Sequence, residues 1–255
     1  MLSPRTYPAP SYRERLVRFS PWAIDTVKLV ALAAMLIDHA NTLFIHPSSP
    51  ELYALGRMAF PLFIFIWALN ILATPERLQQ RANRLWLWAI ITQPVFTFAF
   101  HTVYSWYALN ILFVFAVATQ FLAVLHSGKP KLILGGLVLA ALMVPLLIPA
   151  SYGIPGLVLA VSSALYFAPE NAPYRRAAGM LLLCSLVMLN GIAHLISQPV
   201  DTLLVALLPT VVFPLAVLAT VHGIAPLMAQ RFMPTQFFYL AYAGHLLLYG
   251  LLATQ

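Results

Sequence analysis

Residues 35–41 read Met-Leu-Ile-Asp-His-Ala-Asn, and they lie inside the longer stretch AIDTVKLVALAAMLIDHANTLFI, residues 23–45. By length this stretch reads as a membrane-crossing helix, for which about 20 apolar residues suffice. An aspartate, a histidine and an asparagine near its centre contradict a purely lipid-facing role. Ionisable groups at that depth are costly and face a partner or a cavity, so Asp38 and His39 mark where a functional site should be sought.

The rest of the chain supports a membrane reading. Of its 255 residues 62% are apolar and only 8% charged, which excludes an ordinary soluble domain. Nine apolar stretches are long enough to cross a bilayer: 23–45, 52–73, 84–103, 106–125, 132–148, 152–168, 177–196, 200–220 and 235–253. The fifth and sixth are short and could form a bent pair. The expected fold is an all-α polytopic membrane protein, a bundle of about nine transmembrane helices. Residues 1–22 form a basic cytoplasmic segment, and residues 23–255 a single transmembrane helical domain. The net charge of +7 does not point to nucleic acid, because the Lys and Arg residues sit between apolar segments and not on one basic face.

Twelve of the fourteen basic residues fall before the first stretch or after alternate ones, and the remaining loops carry none; Lys28 and Arg57 are the exceptions. The positive-inside rule then places the N-terminus in the cytoplasm and the C-terminus outside. Lys28, Asp38 and His39 disqualify the first run as a cleavable signal segment. The single Cys184 reads as a small packing residue and His194 as a packed membrane histidine.

At about 100° per residue, Lys28, Asp38, His39, Thr42 and His46 share one face of the first helix, and Lys28 and His39 lie roughly 16 Å apart along it. Arg57, a few residues into the second helix, falls at the depth of Asp38, where opposite charges stabilise one another. An Asp38–Arg57 contact is expected. His39 points about 100° away from Asp38, so its partner should come from another helix. Asn110, Tyr242 and His245 are the candidates. Pro61 should kink the second helix, and Gly56 should allow close backbone approach. Lys28 could equally reach toward lipid phosphates, and the Asp38–Arg57 pair could be a purely structural tie. No soluble-enzyme motif, phosphate-binding loop or zinc spacing is present, and no metal is expected.

The segments IDTVKLVALAAMLIDHAN, LYALGRMAFPLFIF, AIITQPVF, LNILFVFA and FFYLAYAGHLLL, in that order, resemble the TraX family of membrane proteins from conjugative plasmids. The resemblance is densest in residues 24–113 and 235–250. It implies a transmembrane acyltransferase of the bacterial inner membrane that acetylates the N-terminus of a pilin subunit, or a similar small membrane peptide, with acetyl-CoA as donor. It also implies a membrane-embedded histidine as catalyst, which falls on His39.

The residue chemistry fits such a transfer. His39 would be the base, with Asp38 and Arg57 completing the catalytic group. Asn110, Tyr242 or His245 would orient the substrate or donate to the oxyanion. Lys28, Arg84 and Arg18 would hold the CoA phosphates. Two other classes remain open: a non-enzymatic pilus-assembly protein and a small-molecule transporter. Crowding of the ionisable residues into the first two helices argues for one reaction site over a pair of repeats.

Overall fold

In the computed structural model the described residues are 19–150, 152–168, 173–224, 230–234 and 236–254. They are helical, without strands. The helices are α1 (Pro21–Phe44), α2 (Pro50–Ala73), α3 (Leu78–Ala99), α4 (Ile111–Ser127), α5 (Pro130–Leu147), α6 (Gly153–Phe167), α7 (Arg175–Met188), the short α8 (Ile192–Ser197), α9 (Pro199–Ile224) and α10 (Phe237–Ala253). Four of them, α1, α2, α5 and α9, are long and apolar enough to cross a membrane, and α4, α6 and α10 are shorter apolar helices. The surface is hydrophobic: Leu134, Leu142, Met180, Leu183, Ile196 and Leu215 are all more than half exposed. A patch of this extent is incompatible with water and suits lipid, so the chain is a membrane protein.

The apolar stretches fall on helical residues, and the bounds of several differ from expectation. The fourth begins at Ile111, five residues later than expected, because Asn110 caps it. The third runs Leu78–Ala99 and so starts earlier than expected. The seventh is broken: α7 ends at Met188, and Gly191 at φ 78° takes a left-handed conformation before α8 starts. Asn190 supports the break. Its amide donates to the Leu186 carbonyl and to Thr210 Oγ1 on α9, so the interrupted backbone is not left unpaired in an apolar layer.

Cys184 is exposed on α7 and not packed, and His194 is exposed on α8; both expectations for these residues are overturned.

Helices α1, α2, α3, α4, α6 and α10 form the inner group. The last helix packs against both α1 and α3, which closes the bundle. One apolar core gathers Phe60, Phe96, Phe100, Phe115, Leu159 and Leu246; a second joins Val27, Leu62, Phe65 and Ile66 to Leu218 and Val221 of α9.

The α1–α2 hairpin determines where the polar residues fall. Asn41, which is buried, clasps the Ser49 backbone from both sides: its Nδ2 donates to the Ser49 carbonyl at 3.0 Å, and its Oδ1 accepts from the Ser49 amide at 2.8 Å. Ser49 then caps α2, its hydroxyl accepting from the Leu52 amide at 3.3 Å. The two halves of α2, Pro50–Gly56 and Ala59–Ala73, meet at a turn over Arg57 and Met58. Pro61 explains it, since its missing N–H leaves the Arg57 carbonyl without the usual donor four residues on. At Gly56 the helices touch: an added Cβ would lie 2.4 Å from Asp38 Oδ1 and 2.6 Å from Asp38 Cβ.

Asn110 has a structural role and is not a substrate-facing group. It is fully buried, its Oδ1 accepts from the Leu112 amide at 3.0 Å, and its Nδ2 donates to the Ala89 carbonyl and to Gln93 Oε1. Gln93 in turn accepts from the Asn110 amide and donates to the Ala108 carbonyl, which ties the end of the α3–α4 connection to α3. Every polar atom of the Asn110 side chain is engaged by protein.

Two outcomes follow from this packing. Gly56→Ala should destabilise the protein by about 1–3 kcal/mol through overpacking against Asp38, read as a lower thermal midpoint in detergent. Asn110→Ala should cost about 2 kcal/mol in the same measurement through loss of the cap and stranded partners, while ligand affinity at the cavity stays at the wild-type value.

Candidate active site

Helix α1 carries the polar stripe, and the neighbouring elements meet it one residue at a time. Arg57 Nη2 lies 3.3 Å from Asp38 Oδ1, so the expected ion pair forms between α1 and the turn in α2. The guanidinium also sits 4.4 Å from the Tyr53 ring centroid and 5.8 Å from that of Tyr152, two aromatic faces that favour a cation. Its Nε is buried without a hydrogen-bond partner among the described residues. Asp38 lines the central cavity, whereas Arg57 is not among the residues that line it. Asp38 Oδ2 has no hydrogen-bond partner among the described residues.

His39 finds its partner on α10. Its Nδ1 lies 2.8 Å from His245 Nε2, and the two rings are nearly parallel with centroids 5.0 Å apart. On the far side, His245 Nδ1 is 2.9 Å from the Ala241 carbonyl. That carbonyl can only accept, so His245 Nδ1 carries a proton and donates. Neutral His245 then offers a lone pair at Nε2, and His39 must donate to it from Nδ1. Nε2 of His39 is left as the nitrogen that can take up or release a proton. Phe100 meets the His39 ring edge-on at 5.0 Å, and Tyr249 packs edge-on against His245 while its hydroxyl donates to the Leu36 carbonyl of α1 at 3.3 Å. The imidazole pair is therefore locked between α1 and α10.

The cavity beside this pair has a volume of about 350 Å³. Lys28, Leu32, Met35, Asp38, His39 and Thr42 line it along one face of α1, a run of roughly 16 Å from Lys28 to His39. His46, placed on the same arc by periodicity, is exposed in the loop beyond and does not contribute. The middle is apolar, with Phe63, Ile66, Trp67, Leu85 and Phe115 among its walls. Tyr104, Tyr152 and Tyr242 surround the end near His39. The Tyr242 hydroxyl meets the Ile111 backbone, and its ring lies 5.6 Å from that of His245.

The opposite end is cationic. Lys28, Arg81, Arg84 and Arg231 all line it. Lys28 does not extend outward to lipid; it is held inside by Asp25 Oδ1 at 3.4 Å and lies 5.2 Å from the Phe238 ring centroid. Arg81 donates to Thr74 Oγ1, and no acceptor among the described residues binds Arg84 or Arg231. Arg18, expected beside the CoA phosphates, lies outside the described residues.

Several residues at the site were not anticipated. Asp25 is 1% exposed, and its Oδ2 accepts the backbone amides of Phe232 and Met233 at 3.2 Å each, fastening the stretch that carries Arg231 onto α1. Its sequence signal was a carboxylate three residues before Lys28, on the same helix face. Asn70, Arg81, Tyr104 and Tyr152 line the cavity too. Nothing in the linear sequence separates these residues from others of their type.

Protein TraX of Escherichia coli strain K12 is 35% identical over 244 residues, covering 95% of this chain and 92% of that protein. A second Escherichia coli Protein TraX is 38% identical over 237 residues, covering 92% and 89%. No solved structure matches the chain. The family model described as TraX protein matches residues 23–253, and with that coverage the chain belongs to the TraX family.

Proposed function

We infer that the protein is a transmembrane acetyltransferase that moves the acetyl group of acetyl-CoA onto the N-terminal amine of a pilin subunit or a similar small membrane peptide. One observation carries the reading: a histidine whose tautomer is dictated by its neighbours stands at one end of a cavity whose other end is lined by four cations. A nucleotide-linked thioester has the matching form, with phosphates at one end and a reactive carbonyl at the other. The span from Lys28 to His39 is comparable in length to an extended phosphopantetheine arm.

In this reading Arg84 and Arg231, with Lys28 and Arg81 beside them, bind the phosphates, and the apolar middle of the cavity takes the arm. Asp38 Oδ2 accepts a hydrogen bond from the incoming neutral amine, while Arg57 holds the other carboxylate oxygen. The amine nitrogen attacks the thioester carbonyl, and His39 Nε2 removes the proton that the nitrogen sheds. The Tyr242 hydroxyl, which lines the same cavity as His39, donates to the oxyanion. Collapse breaks the carbon–sulfur bond, and the proton on His39 passes to the departing thiolate. The products are an N-acetyl amide and free CoA, and His39 returns to its starting state. His245 keeps Nε2 facing the reaction throughout.

The topology proposed with it has nine crossings in the bacterial inner membrane, the N-terminus in the cytoplasm and the C-terminus outside. The cationic end then opens toward the cytoplasm, where acetyl-CoA is made. Its support is the distribution of Lys and Arg between alternate connections. Cysteines placed at Gly128 and Ser105 in a Cys184→Ser background should label from opposite sides of the membrane.

A purified wild-type protein should gain thermal stability with acetyl-CoA, and mass spectrometry of the pilin from cells carrying it should show an N-terminal acetyl group. His39→Ala should lower the acetylation rate by about 10²–10⁴-fold while the acetyl-CoA shift persists. Wild-type acetylation by His39→Ala would refute the catalytic assignment. Absence of any shift with acetyl-CoA would favour an assembly scaffold.

A further inference from the structure

The cationic end of the main cavity gathers like charges, and such a gathering needs a counter-charge. Lys28 and Arg231 are close enough to repel one another, and Arg84 acts on Arg81 in the same way. Asp38 is the one carboxylate that lines the cavity among the described residues, and it stands at the far end, bound to Arg57. Asp25 is the anion beside Lys28, yet it is absent from the lining and only 1% exposed. It lies behind the wall. A ligand in the cavity therefore meets the groups that Asp25 holds and not Asp25 itself.

Both of its carboxylate oxygens are engaged. Oδ1 accepts from Lys28 Nζ at 3.4 Å, and Oδ2 accepts from the Phe232 and Met233 amides at 3.2 Å each. Residues 230–234 are not helical, so their position rests on tertiary contacts. Trp22 supplies one more, its ring lying 6.4 Å from that of Phe232. Arg231, Met233 and Pro234 of this stretch line the cavity. Further along α1, His39 meets His245 on α10, so α1 and the last part of the chain are tied together at both ends of the cavity.

We propose that Asp25 is the positioning residue of the donor site: it sets Arg231 and Lys28 side by side as a receptor for the phosphates of the nucleotide-linked thioester. The proposal rests on the acetyltransferase reading above. An arginine on an unanchored irregular segment would have to be ordered, backbone and side chain, each time a phosphate bound. Two amide hydrogen bonds to a buried carboxylate fix that backbone beforehand, which leaves only the Arg231 side chain to order. The incoming phosphate then supplies the anion that the repelling Lys28 and Arg231 lack. Asp25 takes no part in the transfer itself, since His39 lies roughly 21 Å away along α1.

The test is calorimetric titration of acetyl-CoA into the full-length protein in lipid nanodiscs. It compares wild type with Asp25→Ala, Asp25→Asn, Arg231→Ala and the double variant Asp25→Ala/Arg231→Ala. Asp25→Ala and Arg231→Ala should each weaken binding about tenfold. The double variant should be no more than about threefold weaker than Arg231→Ala alone, because Asp25 acts largely through Arg231. A carboxylate needed only for stability would weaken binding by the same factor in both backgrounds, and that outcome overturns the proposal. Asp25→Asn keeps an oxygen for the two amides and should stay within about threefold of wild type. A loss as large as that of Asp25→Ala would overturn the proposal too. Should Asp25→Ala fail to fold, Arg231→Ala decides, for wild-type affinity in that variant refutes the proposal. If the wild type binds no acetyl-CoA, the reading of the whole site as an acetyltransferase fails instead.

Discussion

The structure depends on compensating charge where water is scarce. Asp38 on α1 and Arg57 on α2 lie 3.3 Å apart, and neither would be tolerated alone at that depth. Removing one partner of a buried pair typically costs about 3–5 kcal/mol, more than most packing changes. The hairpin is arranged around this pair. Asn41 clasps Ser49, Gly56 lets Asp38 approach, and Pro61 relaxes α2 at the turn that carries Arg57.

The same principle recurs along α1. Asp25 neutralises Lys28 and fastens the 230–234 stretch, and His39 reaches His245 on α10. Helices in lipid have little hydrophobic reason to prefer one neighbour over another, so polar contacts worth about 1–2 kcal/mol each weigh heavily in choosing partners. Three such contacts connect α1 to three separate parts of the chain. The cavity is what remains between those connections. Its two ends differ because Lys28 and the arginines stand at one and the imidazole pair at the other.

Part of this could be read from residue order. The Asp38–Arg57 contact was legible because one short loop joins the two helices, so counting from the loop sets both depths. A partner for His39 from another helix followed from the angle between adjacent residues, but three candidates remained, and His245 emerged only from packing. Asn110 was misread although its signal was present: an asparagine directly before an apolar run is a helix cap. Likewise Asn190-Gly191 within an apolar run announced the break after α7. Asp25 was passed over because the carboxylate precedes Lys28 by one helical turn, while its backbone partners lie more than 200 residues away.

From sequence alone came the helical class, the membrane setting, the polar stripe on α1 and the resemblance to the TraX family, for each depends on composition, periodicity or short motifs within a single segment. Tertiary structure alone decided that His245 fixes the His39 tautomer, that Asn110 is tied up as a cap and that Arg231 joins the cationic mouth. Those outcomes depend on how helices distant in the chain rotate against one another. A rotation of about 100° exchanges one residue for its neighbour at any contact, and no local pattern encodes it.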